Sequence, residues 1–385
     1  MRIGLNGLFL AEPATGSGQY TRNLLKNLLA IDEEDEFVLI GTEKALGEYE
    51  SAGGGPPRLA RHIGRTPFDH LIADLAKVWF EQLTFPLACR KLEVDLSHIP
   101  YFASPWWLTT KNVVTIHDLI PLILPEYRGA LPVRLYTWLV AAAARRAHAV
   151  ITDSQSSKND IVQKLGIPSE RIRVIYLAAD EMFRPSRERE ELRRVLGRYQ
   201  ISPPYILYLG GFDRRKNLET LFQAFAALGD TLRARYQLVI AGRLPRRKDA
   251  LFPDPQEMVR NLGLEEEANF IGWVPEEDKP LLYSEASLFV FPSLYEGFGL
   301  PVVEAMACGT PVIASNTSSL PELVGEGGLL FDPHDPRELK EAMVALLSDE
   351  QLARDLGARG LKRAGDFGWR RTAQETLALY REMAG

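Results

Sequence analysis

Two carboxylates stand on either side of a glycine-rich turn in the C-terminal half of the chain. Glu296 opens the run Glu-Gly-Phe-Gly-Leu-Pro, and Glu304 lies in a predicted helix that begins at Pro301 and ends before Gly309. Glycines let a backbone approach a ligand, and the free amides of a helix start favour an anion. The pair could therefore grip hydroxyl groups beside a bound phosphate. Alternatively, Glu304 only complements the helix macrodipole and Glu296 is a solvated loop residue.

A second segment combines glycine with two cations. Gly211 follows a buried-looking strand, and Arg215 and Lys216 precede the next predicted helix. A charged hydrogen bond contributes roughly 1.5 to 3 kcal/mol, so the two side chains could stabilise a leaving diphosphate without a metal ion. The alternative interpretation is a solvated basic turn.

Four residues of the N-terminal half are weaker candidates. His117 ends a predicted strand, where a lone histidine is more often structural, although a neutral imidazole could donate to a sugar hydroxyl. Asp118 either orients the same loop or acts as a base on an acceptor. Trp106 and Trp107 lie in an apparent loop, where they pack into the core or between domains, stack on an acceptor sugar, or rest at a lipid surface.

Other chemistries lack their sequence signatures. The sequence contains no Asp-x-Asp, the carboxylate pair that holds a divalent cation on a sugar nucleotide in metal-dependent transferases. It also contains no Walker loop, no His-Glu-x-x-His and no Gly-x-Ser-x-Gly, so phosphoryl transfer by a P-loop, zinc proteolysis and common hydrolase chemistry are not supported. No metal or other cofactor is expected.

The composition indicates a protein of two domains without a polyanion-binding surface. The chain has 385 residues, and its 45 Lys and Arg against 51 Asp and Glu give a net charge of −6. Nucleic acid is therefore not an expected partner. Only Cys89 and Cys308 occur, which argues against a disulfide framework and favours a reducing, cytoplasmic compartment. The N-terminus does not read as a signal peptide, and arginines interrupt the longest apolar stretch, 131–150.

The elements that must position these residues form two α/β series. Strand-like runs alternate with helical patterns, which is typical of parallel sheets with helices on both faces. In the first half the predicted strands are Arg2–Leu8, Phe37–Gly41, Asn112–His117 and Ala149–Asp153. In the second half they are Tyr205–Gly210, Tyr236–Ala241, Asn269–Ile271, Leu288–Phe291 and Pro311–Ala314.

Taken together, the motifs resemble the retaining glycosyltransferases of family 4, also called glycosyl transferases group 1. The Glu296 and Glu304 pair in its Glu-Gly-Phe-Gly-Leu-Pro loop carries most of the resemblance. Three further matches support it, and the likeness covers nearly the whole chain: Gly16-Ser17-Gly18-Gln19-Tyr20-Thr21-Arg22-Asn23-Leu24, Thr115-Ile116-His117-Asp118-Leu119-Ile120-Pro121, and Phe367-Gly368-Trp369.

The resemblance implies an α/β protein of GT-B fold, in which two Rossmann-like, doubly wound domains face each other across a cleft. Residues 1–182 would bind the acceptor and residues 183–365 the nucleotide sugar. Residues 366–385 would form a helix that crosses back to the first domain.

The resemblance also implies roles for individual residues. Glu296 would hydrogen-bond the donor sugar around its 3- and 4-hydroxyls, Glu304 would hold the ribose, and Arg215 with Lys216 would take the diphosphate. His117 would contact the transferred sugar near its 6-hydroxyl. The remaining residues that would line the donor or approach its phosphates are Gly16, Gly18, Gly211, Gly297, Phe298, Gly299 and Leu300. Many members carry Arg where Gly211 stands, so Arg215 would substitute for it here.

The expected function is transfer of a hexose, with retention of its anomeric configuration and without metal, to a glycan or lipid-linked acceptor. The runs 117–121 and 215–217 look like those of bacterial mannosyltransferases of polysaccharide assembly, which makes GDP-mannose the first choice of donor and UDP-sugars the second. A lipid-linked acceptor would bring the protein to the inner face of the membrane. The alternatives are a nucleotide-sugar epimerase of the same fold, a non-catalytic nucleotide-sugar-binding module and, least supported, a dinucleotide-dependent oxidoreductase, because Gly16 and Gly18 lie too far beyond the first strand.

Overall fold

The computed structural model describes residues 1–12, 15–69, 72–108, 110–186 and 188–384. The chain divides into two compact units, the first made of Met1–Leu177 and Trp369–Gly385 and the second of Ala178–Gly368. The boundaries expected from the sequence were 182/183 and 365/366, so the second unit begins five residues earlier and ends three residues later than expected.

The first unit is built on a parallel sheet. Numbered along the chain, its strands are β1 (Arg2–Asn6), β2 (Glu36–Gly41), β3 (Ala60–Ile63), β4 (Leu96–Ile99), β5 (Lys111–Thr115), β6 (Ala149–Thr152) and β7 (Ile172–Val174). They lie in the order β3-β2-β1-β4-β5-β6-β7. Its helices up to residue 160 are α1 (Gly16–Ile31), α2 (Glu43–Ser51), α3 (Ala73–Trp79), α4 (Phe85–Lys91), α5 (Ile120–Ile123), α6 (Leu131–Ala144) and α7 (Gln155–Asp160).

The second unit repeats the design. Its strands are β8 (Tyr205–Leu209), β9 (Gln237–Ala241), β10 (Ala268–Gly272), β11 (Leu288–Phe291), β12 (Val312–Ser315) and β13 (Leu329–Phe331), in the parallel order β10-β9-β8-β11-β12-β13. Its helices are α8 (Arg189–Arg198), α9 (Leu218–Ala226), α10 (Asp230–Arg235), α11 (Pro255–Asn261), α12 (Lys279–Glu285), α13 (Leu300–Ala307), α14 (Leu320–Val324), α15 (Pro336–Ser348) and α16 (Glu350–Ala364).

The last helix, α17 (Trp369–Ala384), belongs to the first unit although it follows the second unit in the chain. Thr372 Oγ1 donates to the carbonyl of Tyr176 at 2.7 Å, and the Tyr380 hydroxyl hydrogen-bonds Nδ1 of His98 on β4. Both hydroxyl-bearing residues are fully buried or nearly so. Specific buried hydrogen bonds thus fix α17 against the first sheet, in addition to its apolar face.

Four short strands were not predicted from the sequence: β3, β4, β7 and β13. β4 reads Leu-Ser-His-Ile, so the sequence shows no apolar run, yet Ser97 and His98 are both fully buried. Both side chains can be buried because each forms a hydrogen bond with a hydroxyl group, Ser97 with Thr110 and His98 with Thr115. β3, β7 and β13 are sheet edges of three or four residues, too short for a periodicity to register.

Strand order places a crevice at a defined point of each sheet. The chain reverses direction of winding between β1 and β4 in the first unit and between β8 and β11 in the second. In open α/β sheets, ligands bind outside the carboxyl ends of the strands at this switch point. In the second unit the two loops that leave it are 210–217 and 292–299, the two motif segments singled out from the sequence.

None of the described helices is long and apolar enough to span a bilayer.

Candidate functional site

The two motif loops of the second unit are joined to each other by hydrogen bonds to main-chain carbonyl groups. Leu294 N donates to the carbonyl oxygen of Arg215 at 2.8 Å. Asn217, in the left-handed conformation at φ 56°, donates from Nδ2 to the carbonyl of Pro292 at 3.0 Å. Because β8 and β11 are neighbours, these bonds hold the two loops together over their carboxyl ends.

Three charged side chains meet there. Glu296 Oε1 accepts from Lys216 Nζ at 2.6 Å and lies 2.8 Å from a guanidinium nitrogen of Arg215. Arg215 Nη1 also donates to the carbonyl of Tyr295 at 2.8 Å. Each of the three charged side chains keeps about 12% of its surface exposed. The structure therefore brings together two cations and a carboxylate that were expected, from the sequence, to serve separate parts of a donor.

The cluster is electrically balanced by a second carboxylate. Asp213 Oδ1 lies 3.5 Å from Nε of Arg215, so two cations face two carboxylates. Burial alone would raise the pKa of Glu296, but Lys216 and Arg215 more than offset this and hold that pKa below its usual value. Glu296 is therefore ionised at neutral pH. From the sequence, Arg215 and Lys216 were expected to be available to a diphosphate. In the structure both cations already pair with the carboxylate of Glu296.

The glycine loop around Glu296 is held by two serines that no sequence motif had marked. Glu296 N donates to Ser318 Oγ at 2.9 Å, and Ser319 Oγ donates to the carbonyl oxygens of Glu296 and Phe298. Ser318 itself has a φ of 50°, in the left-handed region. Both serines lie in the connection between β12 and α14, so only the folded chain shows that they position the loop.

The loop ends in a glycine that cannot be replaced without strain. Gly299 has a φ of 122°, and a Cβ built there would lie 2.9 Å from Leu320 Cδ2. It is followed by α13, whose eight residues match the predicted two turns, and among the described residues no side chain caps its first amides. Gly297, Phe298 and Gly299 are buried, with the Phe298 ring packed edge-on against Phe367 at 6.1 Å between centroids. Phe298 is thus a packing residue, and only Leu300 among the four predicted loop contacts is partly exposed.

Glu304 lies within α13 and is only 6% exposed. Its Oε2 accepts a hydrogen bond from the Tyr283 hydroxyl at 3.0 Å. Burial raises the pKa of Glu304 to about 7, with Lys279 acting in the opposite direction. The carboxylate therefore titrates near neutral pH, a behaviour that its sequence position did not indicate.

Gly211 stands at the start of the 210–217 loop and is exposed. A Cβ there would meet only side-chain atoms, Asp213 Oδ2 at 3.3 Å and Lys216 Cε at 3.9 Å. Its backbone conformation does not demand glycine, so the residue leaves space above the Asp213, Arg215 and Lys216 side chains rather than permitting a special turn.

In the first unit, His117 follows β5 and pairs with a residue that follows the neighbouring strand. Its Nδ1 lies 2.6 Å from Asp153 Oδ2, and its Nε2 lies 3.2 Å from the carbonyl of Pro100. The Tyr20 ring packs edge-on against the imidazole at 4.9 Å. Both nitrogens face acceptors, so the doubly protonated imidazolium satisfies the site better than the neutral form considered from the sequence.

The pKa of His117 follows the same logic. Burial lowers this pKa, but the charge and hydrogen bond of Asp153 raise it by more, so the net shift is upward. Sequence reasoning missed Asp153, although its position immediately after β6, the neighbour of β5, was a usable signal.

Asp118, the next residue, orients its own loop. Its Oδ1 accepts from the Ile120 amide at 3.0 Å, just where α5 begins. This bond favours the loop-orienting alternative over the role of a base.

The glycines of the first unit serve α1. Gly16 is exposed and is the first residue of α1, with Thr15 as its cap. Gly18 is buried, its amide donates to Thr15 Oγ1 at 3.1 Å, and a Cβ would lie 2.2 Å from the carbonyl oxygen of Glu12. Its amide is already bonded to Thr15, and its small size permits the close packing against Glu12. The approach of Gly18 to a phosphate stays a prediction.

Trp106 and Trp107 are surface residues. Their exposed fractions are 41% and 38%, which rules out the core packing that was one alternative from the sequence. Trp106 N donates to Gln82 Oε1 at 2.9 Å, and the Arg146 guanidinium lies 5.4 Å from its ring centroid. The loop is therefore anchored while its indole rings reach solvent.

No group of three or more His, Cys, Asp or Glu side chains in the described part of the chain is arranged to hold a metal ion.

Comparison with known proteins matches both halves of the chain. The family model described as Glycosyltransferase Family 4 matches residues 14–182, and the one described as Glycosyl transferases group 1 matches residues 188–363. The O-antigen chain mannosyltransferase B of Escherichia coli is 32% identical over 381 residues, which cover 96% of each chain.

Solved structures share the fold at lower identity. The sucrose-phosphate synthase of Thermosynechococcus elongatus aligns with a TM-score of 0.74 at 24% identity, over 100% of this chain and 99% of that one. Anabaena Alr3699/HepE, solved with UDP and glucose, aligns with a TM-score of 0.75 at 21% identity, over 99% and 100%. These likenesses establish the two Rossmann-like domains of the GT-B fold.

Proposed function

We propose that this chain, which belongs to the glycosyl transferases group 1 and family 4, transfers mannose from a nucleoside diphosphate sugar to a hydroxyl of a glycan or lipid-linked acceptor. The observation that carries the proposal is the cluster of Arg215, Lys216 and Glu296 at the switch point of the second sheet, beside the uncapped start of α13. The mannosyltransferase relative at 32% identity over 96% of the chain supports the choice of sugar.

The cluster suits a donor whose two ends require protein groups of opposite charge. The diphosphate needs cations, and the sugar hydroxyls need an acceptor that stays ionised. Arg215 and Lys216 supply the cations, and Glu296 supplies the ionised acceptor. Because the two cations contact Glu296, binding of the diphosphate shifts them from Glu296 towards phosphate oxygens. The carboxylate then accepts hydrogen bonds from the sugar hydroxyls in their place.

Transfer requires the bond between the anomeric carbon and the diphosphate to break as the acceptor oxygen bonds to that carbon. Negative charge develops on the leaving diphosphate, and the two cations stabilise it without a metal ion. The acceptor hydroxyl loses its proton to a departing phosphate oxygen on the same face of the sugar, so configuration is retained. NMR of the product tests this step: an inverted anomeric centre would reject it.

His117 and Asp153 form a hydrogen-bonded pair in the first unit, and Asp153 raises the pKa of the imidazole. With Nδ1 held by Asp153, the ring orientation is set, and we propose that its Nε2 donates to a sugar hydroxyl in exchange for the Pro100 carbonyl. The exposed indoles of Trp106 and Trp107 are suited to stack on an acceptor sugar. Asp118 remains assigned to its own loop.

GDP-mannose is the proposed donor, with UDP-sugars as the second choice; the nucleotide bound to Anabaena Alr3699/HepE supports only the class, a nucleoside diphosphate. We place the reaction in the cytoplasm, since Cys89 and Cys308 are both free and buried.

A thermal-shift series with GDP, UDP, ADP and their sugar conjugates tests the donor, because a ligand that binds only the folded state raises the midpoint with concentration. The expected result is a shift with GDP and GDP-mannose that disappears in Lys216→Ala. A shift with UDP alone would overturn the choice of base. Release of a free isomerised sugar nucleotide without acceptor would replace transfer by epimerisation.

A further inference from the structure

The surface of α6 in the first unit is unusually apolar for a solvent-facing helix. Four large side chains at its start are strongly exposed: Leu131 (66%), Val133 (48%), Leu135 (58%) and Trp138 (63%). The opposite side of the helix, with Val140, Ala141 and Ala144, is buried in the core. The helix therefore packs partly through small residues while four of its large apolar side chains face outward. An ordinary amphipathic helix does the reverse.

A basic cavity borders this apolar face. It has a volume of about 290 Å³ and is lined by Trp138, Leu122 and Ala141 together with the cations Arg128, Arg134, Arg145 and Lys164. No carboxylate of the described residues lines it. Arg145 Nε donates to the carbonyl of Leu165 at 2.7 Å, which fixes one wall. None of the four cations forms an ion pair with another residue that the structure describes.

The charge of this face differs from that of the whole protein. The chain carries a net charge of −6, yet four cations gather here, and the described lining holds no carboxylate. Exposed leucine and tryptophan beside such cations are the composition of a helix that lies at a bilayer interface, with indole and aliphatic groups among the acyl chains and cations at lipid phosphates.

We infer that α6 and its basic cavity, called here the α6 face and defined by Leu131, Leu135, Trp138, Arg128 and Arg134, dock the first unit on a membrane that contains anionic phospholipid. The occupant is the bilayer surface, because the apolar groups extend beyond the cavity along two turns of the helix, more than a soluble phosphate compound could cover. This inference does not rest on the transferase activity, since it requires neither donor nor acceptor.

Vesicle co-sedimentation tests the inference. The full chain is mixed with vesicles of phosphatidylcholine alone or with phosphatidylglycerol at about a third of the lipid. We expect at least about tenfold tighter binding to the anionic vesicles, and a loss of about tenfold or more in Leu135→Ser/Trp138→Ser. Arg128→Gln/Arg134→Gln should reduce the preference for anionic lipid by a similar factor. All four residues are exposed, so an unchanged melting midpoint will show that each variant folds.

Matched controls come from the second unit. Leu361→Ser removes another exposed leucine, and Arg246→Gln/Arg247→Gln removes two exposed cations; both should bind vesicles like the parent chain. As an independent readout, brominated lipid should quench part of the tryptophan fluorescence in the parent chain, and less of it in Trp138→Phe.

Three results would overturn the inference. One is a negative vesicle assay, in which either the parent chain and Leu135→Ser/Trp138→Ser bind equally or neutral and anionic vesicles are bound equally. Another is complete displacement from vesicles by millimolar glycerol 3-phosphate, which would make the cavity a site for a small soluble anion. The third is a dimer that dissociates in Leu135→Ser/Trp138→Ser, which would assign the α6 face to a second copy of the chain.

Discussion

Lys216 and Glu296 are 80 residues apart in the chain and 2.6 Å apart in space. The contact joins the loop after β8 to the loop after β11, across the point where the sheet changes its direction of winding. Lys216 Nζ also lies 5.0 Å from the centroid of the Phe291 ring, at the end of β11. A cation, a carboxylate and an aromatic ring thus fix one another before any ligand binds, which is the preorganisation that charge stabilisation requires.

Removal of this cation should weaken the reaction selectively. We expect Lys216→Ala to lower kcat/KM by about 10- to 150-fold, the equivalent of one charged hydrogen bond of roughly 1.5 to 3 kcal/mol. Steady-state kinetics with the donor identified by thermal shift measures it. Arg214→Ala is the matched control, because Arg214 is the exposed cation immediately before the cluster and should change kcat/KM by less than about twofold. Equal losses in the two variants would remove Lys216 from the proposed role.

Glu304 should make stability depend on pH in a defined direction. Its pKa of about 7 in the folded chain lies above the usual 4.5, so the folded state holds a proton that the unfolded state releases. Stability is therefore lost as pH rises from about 4.5 to 7. Glu304→Gln keeps a partner for the Tyr283 hydroxyl without the charge, and its advantage over the parent chain should grow by roughly 3 kcal/mol across that interval.

Urea denaturation at a series of pH values measures this difference, and a constant difference between the two chains would contradict the burial argument. The titration of Glu304 should also affect the affinity for the donor. If Glu304 accepts hydrogen bonds from the ribose, donor affinity should rise with pH through about 7 in the parent chain and stay flat in Glu304→Gln.

The His117 and Asp153 pair also ties stability to pH, through a cation instead of a carboxylate. A histidine whose pKa is raised on folding stabilises the chain fully below its unfolded pKa of about 6.5, and this contribution is lost as pH rises through the folded value. NMR titration should place His117 above 6.5 in the parent chain and lower in Asp153→Asn. His62, on β3, is an internal control, because its pKa is lowered by burial and by Lys91 and should not respond. An unchanged His117 titration in Asp153→Asn would show that another group sets its charge.

Gly299 should be sensitive to the addition of one carbon. Gly299→Ala forces a side chain into a φ of 122° and against Leu320 Cδ2, so we expect a loss of about 1 to 3 kcal/mol of unfolding free energy. Gly47→Ala is the control: it lies inside α2, its Cβ would meet no atom within 4 Å, and it should gain about 0.5 to 1 kcal/mol. Urea denaturation of both variants measures the contrast, and a neutral Gly299→Ala would mean that the loop relaxes freely.

Metal removal should leave the reaction intact if Arg215 and Lys216 stabilise the leaving diphosphate. Transfer rates measured after dialysis against a chelator should equal those with added Mg²⁺ or Mn²⁺. Activity that vanishes in chelator and returns only with a divalent ion would show that the cations are not sufficient.

Several features of the fold and site could be predicted without coordinates. The alternation of apolar runs and helical patterns is local, so it indicated two parallel α/β units and most of the central strands. Glycine, proline and charge around Glu296 and Arg215 mark loop chemistry at strand ends, and those loops do lie at the carboxyl edge of the second sheet. Strand β4 was not predicted because its buried polar residues, Ser97 and His98, form hydrogen bonds with hydroxyl groups outside the strand, which a local pattern does not show.

The amino-acid sequence by itself determined which residue types are present and which local conformations they favour: the α/β pattern, the glycine turn before α13 and the family resemblance. Only the tertiary structure decided that Lys216 and Arg215 share Glu296, that Asp153 raises the pKa of His117, and that Trp138 faces solvent beside four cations. The physical reason is that pKa values, ion pairing and burial depend on which groups the sheet order brings within a few ångströms, and sheet order joins residues that local patterns cannot relate.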